Sequence, residues 1–402
     1  MSLRFFISLS LATFLMQSCG KSTESDPQVV DLNSSHPIRV VTLERDEFYA
    51  TGQVNLLTLT EDFKDYNYSQ NFYASISDLV VKCHHNDLFI MERFMRDSLA
   101  KFVFKNNSIS KKPIWQISTY SAIEDGPTGE KISSSNPLDV ISIDETHSLL
   151  LRYESRVMWM LDTQATKGAD VRIGKVDLLS LFPDLISPNS LDTDGTPEIS
   201  SAYLYNHKLY IILSHLDRLQ RPWEVNQRAD LIVLDVKNNY APVSYQTLPF
   251  KNVTSEIQRH GKYLYVAGVD KMMDAPGTES LDAGLIRFNL ETLEVEQLIS
   301  EMKISNFALV YPWLVFVKYS FGNDPQIFKY HIPSMELSFF KDEGAWGNDV
   351  EVMKAGPQQT LWFGHGGLKN SWSLFQLGEN DSFELINSFS SSLIPAGLAF
   401  CD

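Results

Sequence analysis

Leu209-Tyr-Ile-Ile-Leu213 and Leu231-Ile-Val-Leu-Asp235 are two short apolar runs separated by a polar connection, and this unit recurs along the chain. Leu264-Tyr-Val-Ala267 with Leu285-Ile-Arg-Phe-Asn289 is a second clear copy. β-Branched and aromatic residues dominate the runs, while Gly, Asn, Asp and Pro mark the connections, which indicates strands and turns. No apolar pattern of helical period persists outside the N-terminal segment. The chain is therefore predicted to be all-β.

The spacing of the copies predicts how the strands are grouped. Further copies begin at Leu88, Leu149, Leu314 and Leu361, and a weaker one covers Phe48–Leu59. Repeats of about 40–60 residues that each form a small antiparallel sheet are typical of a β-propeller, since one such sheet cannot cover both of its faces alone. Seven blades are predicted, with six or eight as alternatives. The final run, Leu393–Phe400, could complete the ring with N-terminal strands.

A row of β-sandwiches is the competing interpretation of the same strands. A chain of 402 residues would then divide into two or three domains. No Pro- or Gly-rich linker follows residue 37, which favours a single propeller over residues 37–402.

The N-terminus has the composition of a secretory signal. Arg4 precedes the apolar run Phe5–Met16, which closes on Met16-Gln-Ser-Cys-Gly20. The run is shorter than the ~20 residues that a spanning helix needs. These residues also resemble the lipobox of bacterial lipoprotein precursors, which implies cleavage of residues 1–18 and acylation of Cys19. The alternative is an ordinary cleaved signal or a buried helix.

Residues 19–36 are small and polar and cannot bury enough surface to order themselves, so they are predicted to form a flexible tether. The formal charge of the chain is −16. Strong negative charge without a basic cluster predicts no nucleic-acid partner, because phosphate binding needs a basic surface. The membrane is expected to be reached through the lipid anchor only.

Two cysteines, Cys83 and Cys401, remain beyond the lipidation site. An oxidising compartment permits them to pair, and such a bridge would bring an early blade to the end of the chain. Two buried free thiols are the alternative.

Several local strings resemble one family of known proteins. Asn136-Pro-Leu-Asp-Val140 and Leu149-Leu-Leu-Arg-Tyr153 are similar to two strands of the seven-bladed propeller lipoproteins with YVTN-type repeats, found in predatory and social bacteria of the former deltaproteobacterial group. Asp192–Glu198 and Leu209–Asp235 are similar to the following blade, so the resemblance covers residues 136–235. It implies a propeller at the cell envelope. Gly20, where enteric bacteria use Asp to retain lipoproteins at the inner membrane, favours the outer membrane.

Asp192, Asp194 and Glu198 lie in one connection and are the candidate metal ligands. Hard cations such as Ca²⁺ need several oxygen ligands, and Asp-x-Asp-Gly occurs in EF-hand loops. Read in that register, the loop lacks the acidic residue at its last position. The alternative is a turn in which Gly195 supplies a positive φ and the aspartates bond nearby amides.

Asp217, Arg218 and Trp223 lie in the long connection Ser214–Asp230 and are the candidate binding residues. Arg beside an aromatic residue is the composition of a binding hot spot. The same composition also suits a connection that is fixed to its own blade by an ion pair and a buried indole.

No catalytic motif accompanies the repeats. Gly-x-Ser-x-Gly, His-Glu-x-x-His and Gly-rich phosphate loops are absent from the sequence. The leading hypothesis is therefore an outer-membrane lipoprotein that binds a protein or a glycan. A metal-dependent, lactonase-like hydrolase that uses the central channel is one alternative, and an outer-membrane assembly factor is another.

Overall fold

The strands form seven antiparallel sheets that surround a channel as the blades of a β-propeller, which confirms the predicted fold. The computed structural model describes residues 37–48, 50–75, 78–93, 96–105, 108–121, 124, 134–185, 195–217, 227–271, 281–318, 326–340, 350–367 and 370–401. The signal, the tether and Cys19 lie outside these ranges and stay predictions. None of the described helices is long and apolar enough to span a membrane.

The first four blades follow one another along the chain. Blade 1 contains β1 (Ile38–Arg45), β2 (Gly52–Leu59) and β3 (Tyr66–Ser75). Blade 2 contains β4 (Leu79–His84), β5 (Asp87–Glu92), β6 (Ser98–Lys105), β7 (Ser108–Ile109) and β8 (Trp115–Ser118). Blade 3 contains β9 (Pro137–Ser142), β10 (His147–Arg152), β11 (Val157–Asp162) and β12 (Arg172–Asp177). Blade 4 contains β13 (Ile199–Tyr205), β14 (Lys208–Leu213), β15 (Asp230–Asp235) and β16 (Ala241–Thr247).

The remaining blades repeat the arrangement. Blade 5 contains β17 (Gln258–His260), β18 (Tyr263–Gly268), β19 (Gly284–Asn289) and β20 (Val295–Ser300). Blade 6 contains β21 (Ile304–Val310), β22 (Trp313–Lys318), β23 (Gln326–His331) and β24 (Glu336–Phe339). Blade 7 contains β25 (Val350–Gly356), β26 (Thr360–His365), β27 (Ser371–Leu377) and β28 (Phe383–Ser390). The last strand is β29 (Ile394–Cys401), and the one described α-helix is α1 (Leu178–Leu181).

The apolar runs are continuous because the second and third strands of a blade are covered on both faces. In β14, Leu209, Ile211 and Leu213 pack into the core shared with blade 3. Tyr210 and Ile212 of the same strand pack into the core shared with blade 5. Side chains on a strand alternate between its faces, so a strand between two cores needs apolar residues throughout.

The ring is closed by the two ends of the chain. β29 pairs antiparallel with β1 and forms the innermost strand of blade 1, as the final apolar run predicted. Cys401 at the end of β29 forms a disulfide with Cys83 on β4, with the Cα atoms 5.1 Å apart. The structure therefore contains the disulfide and not two buried free thiols.

The predicted extent of the first unit, Phe48–Leu59, is wrong. Phe48 lies in a turn, the strand begins at Gly52, and it pairs with β1 upstream as well as with β3 downstream. β1 escaped detection because polar residues interrupt its apolar run. Thr42 and Glu44 are both buried, and Glu44 accepts hydrogen bonds from Gln53 and Tyr68.

Candidate functional site

The two ends of the propeller differ in the length of their connections. The innermost strands begin at one end of the channel, which we call the long-connection face; the other end is the short-turn face. Among connections between described strands, the four longest all leave from the long-connection face: residues 119–136, 178–198, 214–229 and 269–283. On the short-turn face the longest is residues 163–171, and most others are tight turns. Binding residues of propellers and similar scaffolds concentrate on such long connections.

The connection 214–229 is fixed to blade 4 by a buried carboxylate at its end. Asp230, the first residue of β15, accepts a hydrogen bond from Nε2 of His215 at 2.7 Å. The hydroxyls of Tyr245 and Thr247, both on β16, donate to the same carboxylate at 2.6 and 2.8 Å. The side chains of His215 and Asp230 are 0% and 7% exposed. The base of the connection is therefore held against the outer strand of its own blade.

Glu198 and Asp217 belong to the same region. Glu198 is fully buried with φ of 42°, and its Oε2 accepts the backbone N–H of Leu216 at 2.7 Å. Asp217 is 1% exposed, which favours the interpretation that it fixes the connection rather than contacts a partner. Arg218 and Trp223 lie outside the described residues, so their binding role stays a prediction.

The predicted calcium loop is described only in part. Asp192 and Asp194 lie outside the described residues, whereas Gly195 has φ of 78°, as the turn interpretation predicted. Within the described ranges, no group of three or more His, Cys, Asp and Glu side chains could hold a metal ion. Glu198 instead accepts a hydrogen bond from the backbone N–H of Leu216. The described part of this connection therefore agrees with the turn interpretation.

The channel contains two ion pairs that the sequence did not reveal. Nζ of Lys82 on β4 donates to Oδ2 of Asp139 on β9 at 3.1 Å. Nζ of Lys354 on β25 lies 3.1 Å from Oε2 of Glu256, which directly precedes β17, so this pair joins blades 7 and 5. Lys82, Asp139, Glu256 and Tyr203 line a cavity of about 260 Å³ bounded by the innermost strands of blades 2 to 5.

The four charges of the channel affect one another's protonation. The positive charge of Lys354 lowers the pKa of Glu256 to about 2, although partial loss of solvent around the carboxylate opposes this shift. Burial raises the pKa of Asp139 from its ordinary value, with Lys82 opposing this shift and Glu256 adding to it. Burial alone would lower the pKa of Lys82, but the charges of Asp139 and Glu256 outweigh it and raise that pKa. Of these two carboxylates, Asp139 therefore gains a proton at the higher pH.

Comparisons with known proteins define the fold class. No family model matches the chain, and no curated protein sequence matches it either. Its structure is similar to that of a protein from Lactobacillus plantarum, with a TM-score of 0.60 and 11% identity over 91% of this chain and 100% of that chain. A periplasmic gluconolactonase from Pseudomonas aeruginosa gives a TM-score of 0.56 and 11% identity, over 91% and 99% of the two chains. At this identity the similarity shows the seven-bladed β-propeller fold alone.

Proposed function

We propose that this protein is an outer-membrane lipoprotein that captures a protein or glycan partner through its long-connection face. The observation that carries the proposal is the unequal length of the connections at the two ends of the propeller. Short turns suffice to link the strands of a blade, and residues 301–303 suffice to link blade 5 to blade 6, so four long connections at one end are additional surface. Capture of an envelope protein would also suit an assembly factor.

The anchor has a direct test in Cys19→Ser. Loss of the thiol removes the acylation site. Several acyl groups on Cys19 would attach the protein to the membrane without a spanning helix. We expect the variant to accumulate unprocessed or to move from the detergent phase to the aqueous phase. Detergent partitioning and the mass of the mature N-terminus measure this. Unchanged partitioning of the variant would remove the lipoprotein assignment.

Trp223→Ala tests the binding role of the connection 214–229. If Trp223 is an exposed anchor, truncation should abolish partner capture and leave the melting temperature nearly unchanged. Capture is measured on a glycan array and by crosslinking in the native envelope. If the indole is instead buried against blade 4, the same change should cost about 3–5 kcal/mol of stability. A large drop in the melting temperature would withdraw this residue from the proposed site.

A hydrolase that uses the channel is the second candidate, and the raised pKa of Asp139 favours it. A carboxylate with a raised pKa is a stronger general base, and the neighbouring ammonium of Lys82 could polarise a carbonyl. The described residues offer no set of three ligands for the metal-dependent form.

Small lactones are the substrates that test this candidate. If the channel is an active site, Asp139→Asn should lower their hydrolysis by about 100-fold or more, since the amide cannot accept the proton. Asp144→Asn, which changes an exposed aspartate on the turn after β9, is the matched control. Hydrolysis that is undetectable in the unmodified protein, or equal in both variants, would exclude Asp139 as a catalytic base for lactones.

A further inference from the structure

The channel cavity of about 260 Å³ has a lining in which opposite charges balance. The Lys, Arg, Asp and Glu side chains among the described residues that line it are Lys82, Asp139 and Glu256. Nζ of Lys354 in blade 7 lies 3.3 and 3.1 Å from Oε1 and Oε2 of Glu256. Two ammonium groups are thus paired with two carboxylates, and these four charges sum to zero.

The paired groups keep hydrogen-bonding capacity beyond their ion pairs. An ammonium group has three N–H donors, and among the described residues only Asp139 accepts from that of Lys82. The carboxylate of Asp139 accepts from Lys82 at 3.1 Å and from the backbone N–H of Val140 at 2.7 Å, which leaves about two of its four acceptor positions open. The side chain of Glu256 is 59% exposed, so a ligand in the channel can reach it.

The balance of charge determines which ligands this cavity favours. A ligand with a net charge would leave one charge without a partner in a space that is shielded from water, and this is unfavourable. A hydroxyl group both donates and accepts, so it can bridge a carboxylate and an ammonium group without separating them. A zwitterion such as an amino acid is also neutral, but its ammonium group would compete with Lys82 for Asp139.

The size of the cavity and the rest of its lining suit a single sugar ring. Pockets for drug-sized ligands have volumes of about 300–1,000 Å³, so this cavity accommodates a smaller molecule. Ile141, Tyr203 and Leu204 add apolar surface beside the charged groups. The C–H groups of a sugar ring can pack on such a surface while its hydroxyls reach the ion pairs.

We propose that the channel cavity binds a neutral, polyhydroxylated molecule of the size of a monosaccharide. This ligand would bind between the two ion pairs and leave both of them intact. The inference concerns the cavity of the second candidate function but requires binding only, so it holds whether or not a lactone is hydrolysed there. It is also separate from partner capture, which takes place on the long-connection face.

Calorimetric titration with matched sugars tests the ligand class. Glucose, galactose and mannose are each compared with the corresponding uronic acid and 2-amino sugar in their charged forms, and alanine is the zwitterionic probe. At least one neutral sugar should bind the unmodified protein about tenfold more tightly than either charged counterpart and than alanine. Absence of binding by all neutral sugars, or equal or tighter binding of a charged counterpart or of alanine, would overturn the proposal.

Two neutralising changes should shift the preference in opposite directions. Asp139→Asn leaves the cavity with one excess positive charge, so binding should shift toward the uronic acid. Lys82→Gln leaves one excess negative charge, so binding should shift toward the amino sugar. Asp381→Asn and Lys64→Gln make the same changes in charge at exposed turns of blades 7 and 1 and should leave the preference unchanged. Shifts in one direction in both cavity variants, or equal shifts in the controls, would show that the charge balance of the cavity does not select the ligand.

The outcomes for the ligand class and for the hydrolase candidate can be told apart. Charge-dependent sugar binding without lactone hydrolysis would retain the ligand class and remove the hydrolase. Lactone hydrolysis that no neutral sugar inhibits, together with no sugar binding, would retain the hydrolase and reject the ligand class. Melting temperatures of the two cavity variants show whether each remains folded under the conditions of the titration.

Discussion

Replacing Cys83 and Cys401 together by serine should lower the free energy of unfolding by about 6 kcal/mol in the chain-entropy model. The bridge joins residues 318 positions apart, so its loss releases a very long loop in the unfolded chain. It also ties the innermost strands of blades 1 and 2, where β29 completes the ring. Denaturant unfolding of the oxidised protein and of the double variant measures the difference.

The single change Cys83→Ser opens the bridge and retains one of its two sulfur atoms. It should destabilise the protein nearly as much as the double change, because either one opens the bridge. The native fold is expected to persist in both variants, since the hydrogen bonds between β1 and β29 still close the ring. A loss below about 1 kcal/mol in the double variant would mean that the unfolded chain gains little freedom from opening the bridge.

The strands that the sequence predicted are those with two covered faces. The central residues of β14 and β15 are all apolar because each strand separates two cores, and that is the signal that defined the repeat. The outermost strands lack it: all four residues of β24 are exposed. The innermost strands face a polar channel, and β17 reads Gln-Arg-His. Blade number was therefore predictable, but the inner and outer edges of each blade were not.

Most of the candidate site could not be predicted from the sequence, because the roles of its residues depend on neighbours from other strands. Lys82 and Asp139 are ordinary charged residues in short strands, and nothing in one sequence shows that both point into the channel. Pairing across blades depends on ring closure, as the contact of Lys354 with Glu256 shows. Asp230 was the last residue of the predicted connection. Its role as a buried hydrogen-bond acceptor depends on Tyr245 and Thr247 of β16, which the sequence did not place beside it.

Truncation of the buried side chain of Asp230 is also expected to have a large effect on stability. Asp230→Ala should cost about 3–5 kcal/mol of stability, because removal of one member of a buried, hydrogen-bonded pair leaves polar groups without their acceptor. His215, Tyr245 and Thr247 would all lose the carboxylate to which they donate. Thermal and denaturant unfolding measure the loss.

Asp235→Ala provides the comparison within the same strand. Asp235 ends β15, is partly exposed, and its carboxylate accepts the backbone N–H of Asn238 at 3.2 Å, so its loss should cost less than about 1 kcal/mol. The two variants also separate stability from function. Since Asp230 fixes the base of the connection 214–229, partner capture at a temperature where both variants remain folded should fall in Asp230→Ala and persist in Asp235→Ala. Equal capture by the two would show that the partner does not depend on this connection, and the proposed site would then move to the other long connections of the same face.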